Sequence, residues 1–292
     1  MKVRPLAFDS LGVRSMSTYV ETRDINLIID PAVALAPRRY GLPPHELEIK
    51  RMYELADKIY SLGRDSEVII ITHYHYDHHD PGRIIPLDMF RGKMVYIKDY
   101  GRNINISQKI RALRFMKLIS NLVRKAVIAD SRLVNVGKTK IEFSEPLPHG
   151  SNDRLGYVLS VYLREEDQSL IYTSDVEGFP LDKQLRFVID RKPQIIIADG
   201  PSTYLEGYKI QRTEIESSIR NLTRLLRENK PKYLILDHHL VRDLMFKDKL
   251  RMVYEFAKER GINVVTAAEY LGRENVFLEA NRFKLWSKEK VS

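Results

Sequence analysis

Apolar and polar positions follow two different periods along this chain, and the switches between them mark the elements. The first thirty residues run as short apolar stretches, Val3 to Phe8, Met16 to Thr22 and Ile25 to Ile29, separated by turn-forming residues and closed by Asp30-Pro31. That spacing predicts an antiparallel meander. Behind Pro43-Pro44 the period changes: Leu47, Met52, Leu55, Ala56, Ile59 and Leu62 recur near 3.6 residues, which predicts a helix closed by Gly63. Glu67 to Thr72 then reads as a short β-branched strand buried on both faces, completing a β-α-β unit.

The remainder repeats this alternation. Met94 to Ile97 is a strand, and Ser107 to Val123 is an amphipathic helix with Ile110, Leu113, Met116 and Ile119 expected inward. Strands follow at Leu133 to Val136, Lys140 to Phe143, Tyr157 to Leu163 and Ser169 to Thr173. Helices then alternate with buried strands at Gln194 to Ala198, Lys232 to Leu236 and Asn263 to Thr266. Each half thus reads as antiparallel strands followed by helix-linked strands. The architecture that fits is α/β, a four-layer αββα sandwich of two mixed β-sheets with helices outside.

Composition narrows the class. The 292 residues show no Pro/Gly/Ser-rich linker, so one domain over 1–292 is expected. No apolar run reaches the roughly 18 residues of a membrane span and no signal-peptide core opens the chain, so a soluble, cytoplasmic protein without membrane partners is expected. With no cysteine, disulfides, thiolate metal ligands and cysteine nucleophiles are excluded. Charged residues make up 30% of the chain and only five residues are glutamine, a balance seen in proteins of hot environments. The net charge of +9 is uneven, because residues 100–129 carry Arg102, Lys109, Arg111, Arg114, Lys117, Arg124 and Lys125 and no acid.

The chemistry concentrates just after the Glu67 to Thr72 strand. His73-Tyr74-His75-Tyr76-Asp77-His78, followed by His79, places four of the eight histidines within seven residues. Imidazole and carboxylate at that density point to divalent metal. His73 and His75, two apart on extended chain, share a side and can grip one ion, while Asp77 and His78 turn towards another. Further donors stand at other strand ends: His149 in Pro-His-Gly, Asp175 in Tyr-Thr-Ser-Asp, and the pair His238-His239. A two-metal hydrolytic site needs about three ligands per ion and a bridging carboxylate, and these residues supply them.

In order and spacing, these motifs resemble the metallo-β-lactamase-fold hydrolases, whose pattern is Asp, His-x-His-x-Asp-His, His, Asp, His. The resemblance spans residues 3 to 270 and extends to uncharacterised archaeal metal-dependent hydrolases of that superfamily. It implies that Asp30 supports the site, that His73, His75 and His149 bind a first ion, and that Asp77, His78 and His238 bind a second. Asp175 would bridge them, so Asp77 and Asp175 carry the catalytic carboxylates. His239 is the alternative to His238 as last ligand; His79 and Asp80 are expected in the surrounding loop. Asp199-Gly-Pro-Ser-Thr-Tyr204 resembles the Glu-Ser-Thr-Tyr segment of the RNA-processing branch, with Asp in place of Glu. His45, beside Pro43-Pro44, is expected on the surface.

Two divalent ions about 3.5–4 Å apart acidify a shared water, so hydroxide attack on a phosphoryl or carbonyl centre is the expected step. The all-N/O donor set suits Zn²⁺, with Mn²⁺ or Fe²⁺ depending on supply. No Gly-x-Ser-x-Gly elbow, phosphate loop or dinucleotide fingerprint competes. The basic 100–129 stretch, with Arg38, Arg39 and Tyr40, favours an anionic substrate: a phosphodiester or other anionic ester, nucleic acid included. Thioester or lactone hydrolysis on the same fold is the nearest alternative. Asp237-His238-His239 also resembles the Asp-His-His phosphoesterases, although no early Asp-x-Asp segment accompanies it. A catalytically inactive binding module is the non-enzyme alternative, against which stands a donor set with no member missing.

Overall fold

The computed structural model describes residues 1–289, so the last three residues of the expected 1–292 domain lie outside the described residues. In chain order the elements are β1 (Lys2–Phe8), β2 (Met16–Glu21), β3 (Asn26–Ile29), α1 (Glu46–Asp65), β4 (Val68–Ile71), β5 (Met94–Ile97), α2 (Ile106–Ile119) and β6 (Lys125–Ile128). There follow β7 (Leu133–Val136), β8 (Thr139–Phe143), β9 (Leu147–Pro148), β10 (Tyr157–Val158), β11 (Val161–Glu165), β12 (Gln168–Tyr172), α3 (Asp182–Ile189) and β13 (Ile195–Asp199). The chain closes with α4 (Arg212–Asn229), β14 (Tyr233–Asp237), α5 (Phe246–Lys249), α6 (Arg251–Glu259), β15 (Asn263–Val265), α7 (Ala267–Tyr270) and α8 (Arg282–Glu289).

Two mixed sheets form, ordered β1-β2-β3-β4-β5-β6 and β15-β14-β13-β12-β11-β8-β7. In each, antiparallel pairs occupy one side and parallel pairs the other: β3 to β6 run parallel, as do β12 to β15. Strand alternation explains the continuous apolar runs. Leu170, Tyr172, Ile197 and Ile235 belong to the core shared between the sheets. Their neighbours Ile171, Ile196, Ala198, Leu234 and Leu236 pack instead with Leu185, Leu222, Leu226 and Val253 of the helices α3, α4 and α6. With both faces covered, no polar position is tolerated inside these strands. Their polar residues therefore collect at the strand ends, where the histidines and carboxylates stand. Among the described residues, no helix is long and apolar enough to cross a membrane.

Several expectations change in detail. Helix α1 continues to Asp65, and Gly63 is a buried helical residue rather than a stop; a Cβ there would lie 2.3 Å from Met89 Sδ, so any other residue would have to displace the Met89 side chain. Helix α2 is partly rotated from the expected face: Ile119 is buried and Met116 half-buried as expected, but Ile110 and Leu113 are 63% and 49% exposed, and Gln108, Ala112 and Phe115 are buried in their place. Gln108 causes this rotation, since its Oε1 accepts from Tyr74 N at 3.0 Å and docks the helix on the histidine loop. The Tyr157 to Leu163 run breaks into β10 and β11, because Leu159 N donates to Thr72 O and Ser160 N to Ser144 Oγ instead of continuing one ladder. His45 is buried, not at the surface: it caps α1, its Nδ1 accepting from Leu47 N at 3.2 Å.

Candidate metal centre

Every strand that brings a donor to the site ends at the same edge of the sandwich. Past β4, the His73–His79 loop closes a turn in which both His78 N and His79 N donate to His75 O at 3.0 Å. That turn carries Asp77 and His78 away from His73 and His75 along the chain while keeping all four beside one another. His149 follows β9, Asp175 follows β12, and His238 and His239 follow β14. Donor atoms of His73, His75, His149 and Asp175 lie within 4.8 Å of one another, and those of Asp77, His78 and His238 form a second such group. Asp175 also groups with His238 and His239.

Asp175 stands at the centre, within reach of both groups. Its Oδ2 lies 3.1 Å from His149 Nε2 and 3.6 Å from His73 Nε2, and its Oδ1 lies 3.0 Å from His78 Nε2. These approaches do not amount to satisfied hydrogen bonds: His73 Nε2, His78 Nε2 and Asp175 Oδ1 are buried and without hydrogen-bond partners. Buried polar atoms are rarely left so. Several orphaned lone pairs converging on one small volume fit a cation as their common partner.

The far side of the rings is anchored instead. His78 Nδ1 meets Asp30 Oδ2 at 2.8 Å, His238 Nδ1 meets Asp9 Oδ2 at 2.7 Å, and His239 Nδ1 meets Asp199 Oδ2 at 2.8 Å. His149 differs: its Nδ1 lies 3.4 Å from Glu177 Oε1 without forming a hydrogen bond. An ionised carboxylate accepts only, so each bonded Nδ1 carries a proton and Nε2 is the nitrogen turned towards the site. Carboxylates behind metal-facing histidines fix both tautomer and ring orientation. Asp30 does this with both oxygens engaged, since Oδ1 accepts from Thr72 N at 2.8 Å and Oδ2 also accepts from Thr72 Oγ1 at 2.6 Å and Tyr172 OH at 2.7 Å. With His73 and His78, Asp30 also forms a further group whose donor atoms lie within 4.8 Å of one another.

Backbone strain gathers at the same edge. Asp30, Ser174, Glu177 and His238 all have φ between 49° and 61°, the left-handed region that ordinary side chains avoid at roughly 1–2 kcal/mol each. Electrostatics follow from the crowding. Burial opposes charge on His78, but Asp175 and Asp30 outweigh it and lift the ring to about 10. Burial likewise opposes His149, and Asp175 with Glu177 lifts it to about 10. His75 lacks such a carboxylate, and burial beside His149 pushes it down to about 3. Burial resists ionisation of Asp175, yet His78, His238 and His73 hold it well below the usual carboxylate range. The negative potential that draws protons to these rings draws cations equally.

Other motif residues lie outside the two groups. His79 turns away: its Nδ1 meets His75 O at 2.9 Å and its ring packs on Phe115 and Tyr76. Asp80 holds the loop by accepting from the backbone of Arg83, Ile84 and Ile85. Asp199 accepts from both Nδ1 and backbone N of His239. Asp237, first residue of the Asp-His-His segment, is structural and accepts from Ser10 N, His238 N and Ala267 N. Three contributors had no motif to mark them: Asp9, Glu177 and Arg242. Arg242, buried, donates to Asp9 Oδ1 at 2.7 Å and brings Nη2 to 3.9 Å from Asp77 Oδ2. Only its place four residues after His238, and that of Asp9 directly after an apolar strand, were visible beforehand.

No family model matches the sequence. The UPF0282 protein of Sulfurisphaera tokodaii is 48% identical over 290 residues, spanning 99% of this chain and 94% of that protein. The UPF0282 protein of Metallosphaera sedula is 45% identical with the same coverage. Among solved structures, the isothiocyanate hydrolase from Delia radicum gut bacteria aligns with a TM-score of 0.55 at 17% identity, over 91% of this chain and 95% of that one. The metallo-β-lactamase fold protein YhfI from Bacillus subtilis aligns at 0.54 and 17% identity, over 90% and 95%. Zn²⁺-bound PqqB from Methylobacterium extorquens aligns at 0.53 and 11% identity, over 91% and 98%. The fold is the metallo-β-lactamase fold, which excludes the Asp-His-His phosphoesterase architecture.

Proposed function

The chain belongs to the UPF0282 family, and from that premise we propose that it is a metal-dependent hydrolase of anionic esters, with phosphodiesters the foremost substrates. One observation carries the reading: His73 Nε2, His78 Nε2 and Asp175 Oδ1 are buried, unpartnered and convergent. His73, His75 and His149 would hold one divalent ion and Asp77, His78 and His238 a second, with Asp175 between them. When bound, such ions supply Lewis acidity, polarising a substrate oxygen and acidifying water near neutral pH. Zn²⁺ suits the donor set, and zinc-bound PqqB shares the fold.

The chain's own groups do the rest. Asp30 and Asp9 orient the rings, so the donor geometry is set before substrate arrives. Arg242 places a permanent positive charge beside Asp77 and offsets part of the carboxylate charge on that side. No serine or cysteine nucleophile is needed, and a water molecule is the attacking group. An anionic ester is favoured over a neutral lactone because Arg39, Arg83 and Arg111, none of them in an ion pair among the described residues, add positive charge at this edge of the molecule.

The test is metal content by mass spectrometry, together with turnover of a bis-aryl phosphodiester, a thioester and a lactone. Bound zinc, manganese or iron and preferential phosphodiester cleavage, abolished by chelation and by His73→Ala, are expected. Protein that retains no metal and turns over none of the three would overturn the proposal. Preference for the thioester or lactone would retain the hydrolase and replace its substrate class.

A further inference from the structure

We infer that the cleft reads negative charge on both sides of the bond it cleaves, so that its substrate has the chemistry of a single-stranded oligonucleotide; this rests on the phosphodiester reading above. Two arginine–tyrosine stacks carry it, each built onto a different donor loop. On the first, Tyr76 stands between His75 and Asp77. The Arg83 guanidinium lies 3.9 Å from its ring centroid and that of Arg111 lies 4.6 Å away. His79 stacks on the same tyrosine at 5.4 Å with 25° between the planes. The loop is held in place by Asp80, which accepts from Arg83 N at 2.6 Å.

The second stack lies by the His238 loop. Arg39 is layered between Tyr40 and Tyr204, with its guanidinium carbon 4.7 and 4.5 Å from their centroids. Its Nη2 donates to Arg242 O at 3.0 Å, and Arg242 in turn reaches Asp77 and His238. Arg39 thus stands one arginine's length from the second donor group.

None of the three arginines makes an ion pair among the described residues. The acid nearest in character to Arg39, Glu279, is already taken by Arg14 through two bonds of 2.6 Å. Arg111 makes one long bond, to Tyr74 O at 3.4 Å, and Arg83 is exposed. Stacking holds a guanidinium flat, so that Arg83 and Arg111 can present N–H groups to a phosphate, while Arg39, with Nη2 bonded to Arg242 O and Nε buried, offers Nη1. A lone aryl phosphodiester would occupy the metal-facing groups and leave both stacks idle. A strand with phosphates either side of the scissile one engages all three, and the exposed Tyr40 offers ring surface to a base, which stacks without sequence preference.

The test measures anisotropy of a fluorescein-labelled single-stranded octanucleotide with the full chain in chelator, separating strand binding from metal. Arg83→Ala, Arg111→Ala and Arg39→Ala are each expected to weaken binding at least threefold. The triple variant should weaken it at least thirtyfold, with the salt dependence flattening by about 0.7 in logarithmic slope per arginine removed. Lys138→Ala, exposed in the β7–β8 turn at the opposite end of the strands, should bind as the parent does. With metal restored, the ratio of kcat/KM for a tetranucleotide to that for a bis-aryl phosphodiester should fall at least tenfold in the triple variant. Arg83, being exposed, carries the test alone if Arg39→Ala does not fold. Equal binding by parent and Arg83→Ala, or no strand binding by the parent, overturns the inference. Bis-aryl turnover without strand binding leaves the hydrolase standing and removes the clamps; strand binding without any turnover does the reverse.

Discussion

His238 Nδ1 lies 2.7 Å from Asp9 Oδ2, a contact between residues 229 positions apart that joins the end of β1 to the end of β14. The same carboxylate accepts from Arg242 Nε at 2.7 Å, so one buried aspartate orients both a donor ring and the cation beside it. The two sheets are thereby tied together at the edge where the donors converge.

Asp9→Asn should weaken cation binding at the Asp77, His78 and His238 group by roughly 10- to 100-fold, because the ring loses the carboxylate that sets its tautomer. Competition with a chromophoric chelator reads this directly. Two-step metal release is expected, with only the weaker step displaced relative to the parent. Parent-like affinity at both steps would remove Asp9 from the site.

Arg282 and Glu48 are both fully buried and joined by two bonds of 2.8 Å, while Arg282 Nη1 donates to Ala36 O and Leu42 O. This fastens α8 over the start of α1. Arg282→Ala should destabilise by about 3–5 kcal/mol, since it leaves a carboxylate buried without its partner. A double change, Arg282→Met with Glu48→Met, should recover most of that loss in chemical denaturation. Equal instability of single and double variants would mean that packing, not charge, sets the effect.

Glu279 supplies a pH prediction away from the metal centre. Burial resists its ionisation, but Arg14, with help from Arg242 and Arg39, holds it down to about 2 from an ordinary value of 4.5. A depressed carboxylate contributes stability above its unfolded pKa and loses it as pH falls towards the folded value. The contribution is on the order of 2–3 kcal/mol and disappears between about pH 4.5 and 2. The urea midpoint of the parent should drop more between pH 5 and pH 3 than that of Glu279→Gln; parallel curves would rule the pair out as the source.

Much of the fold was legible because it rests on local pattern. The β4 run from Val68 to Ile71 reads as a strand since both of its faces are covered, and the polar residues after it mark where that cover ends. The rotation of α2 was not legible: Ile110 and Leu113 follow the helical period, but Gln108 docks on Tyr74 and turns that face outward. His45 looked like a surface residue for the same reason, since the capping bond that buries it depends on how α1 begins. Strand β6 went unseen because Lys125 and Ile128 are exposed on an edge and break the apolar pattern.

By itself the sequence determined the donor types, their order and their positions after apolar strands, because residue identity and local periodicity need no partner. Only the tertiary structure decided which nitrogen of each histidine is anchored and which is left free. Asp9 faces His238 and Asp30 faces His78 through contacts between elements far apart in the chain. A hydrogen bond is a relation in space: strand pairing within one sheet sets Asp30 beside His78, and the face-to-face packing of the two sheets sets Asp9 beside His238.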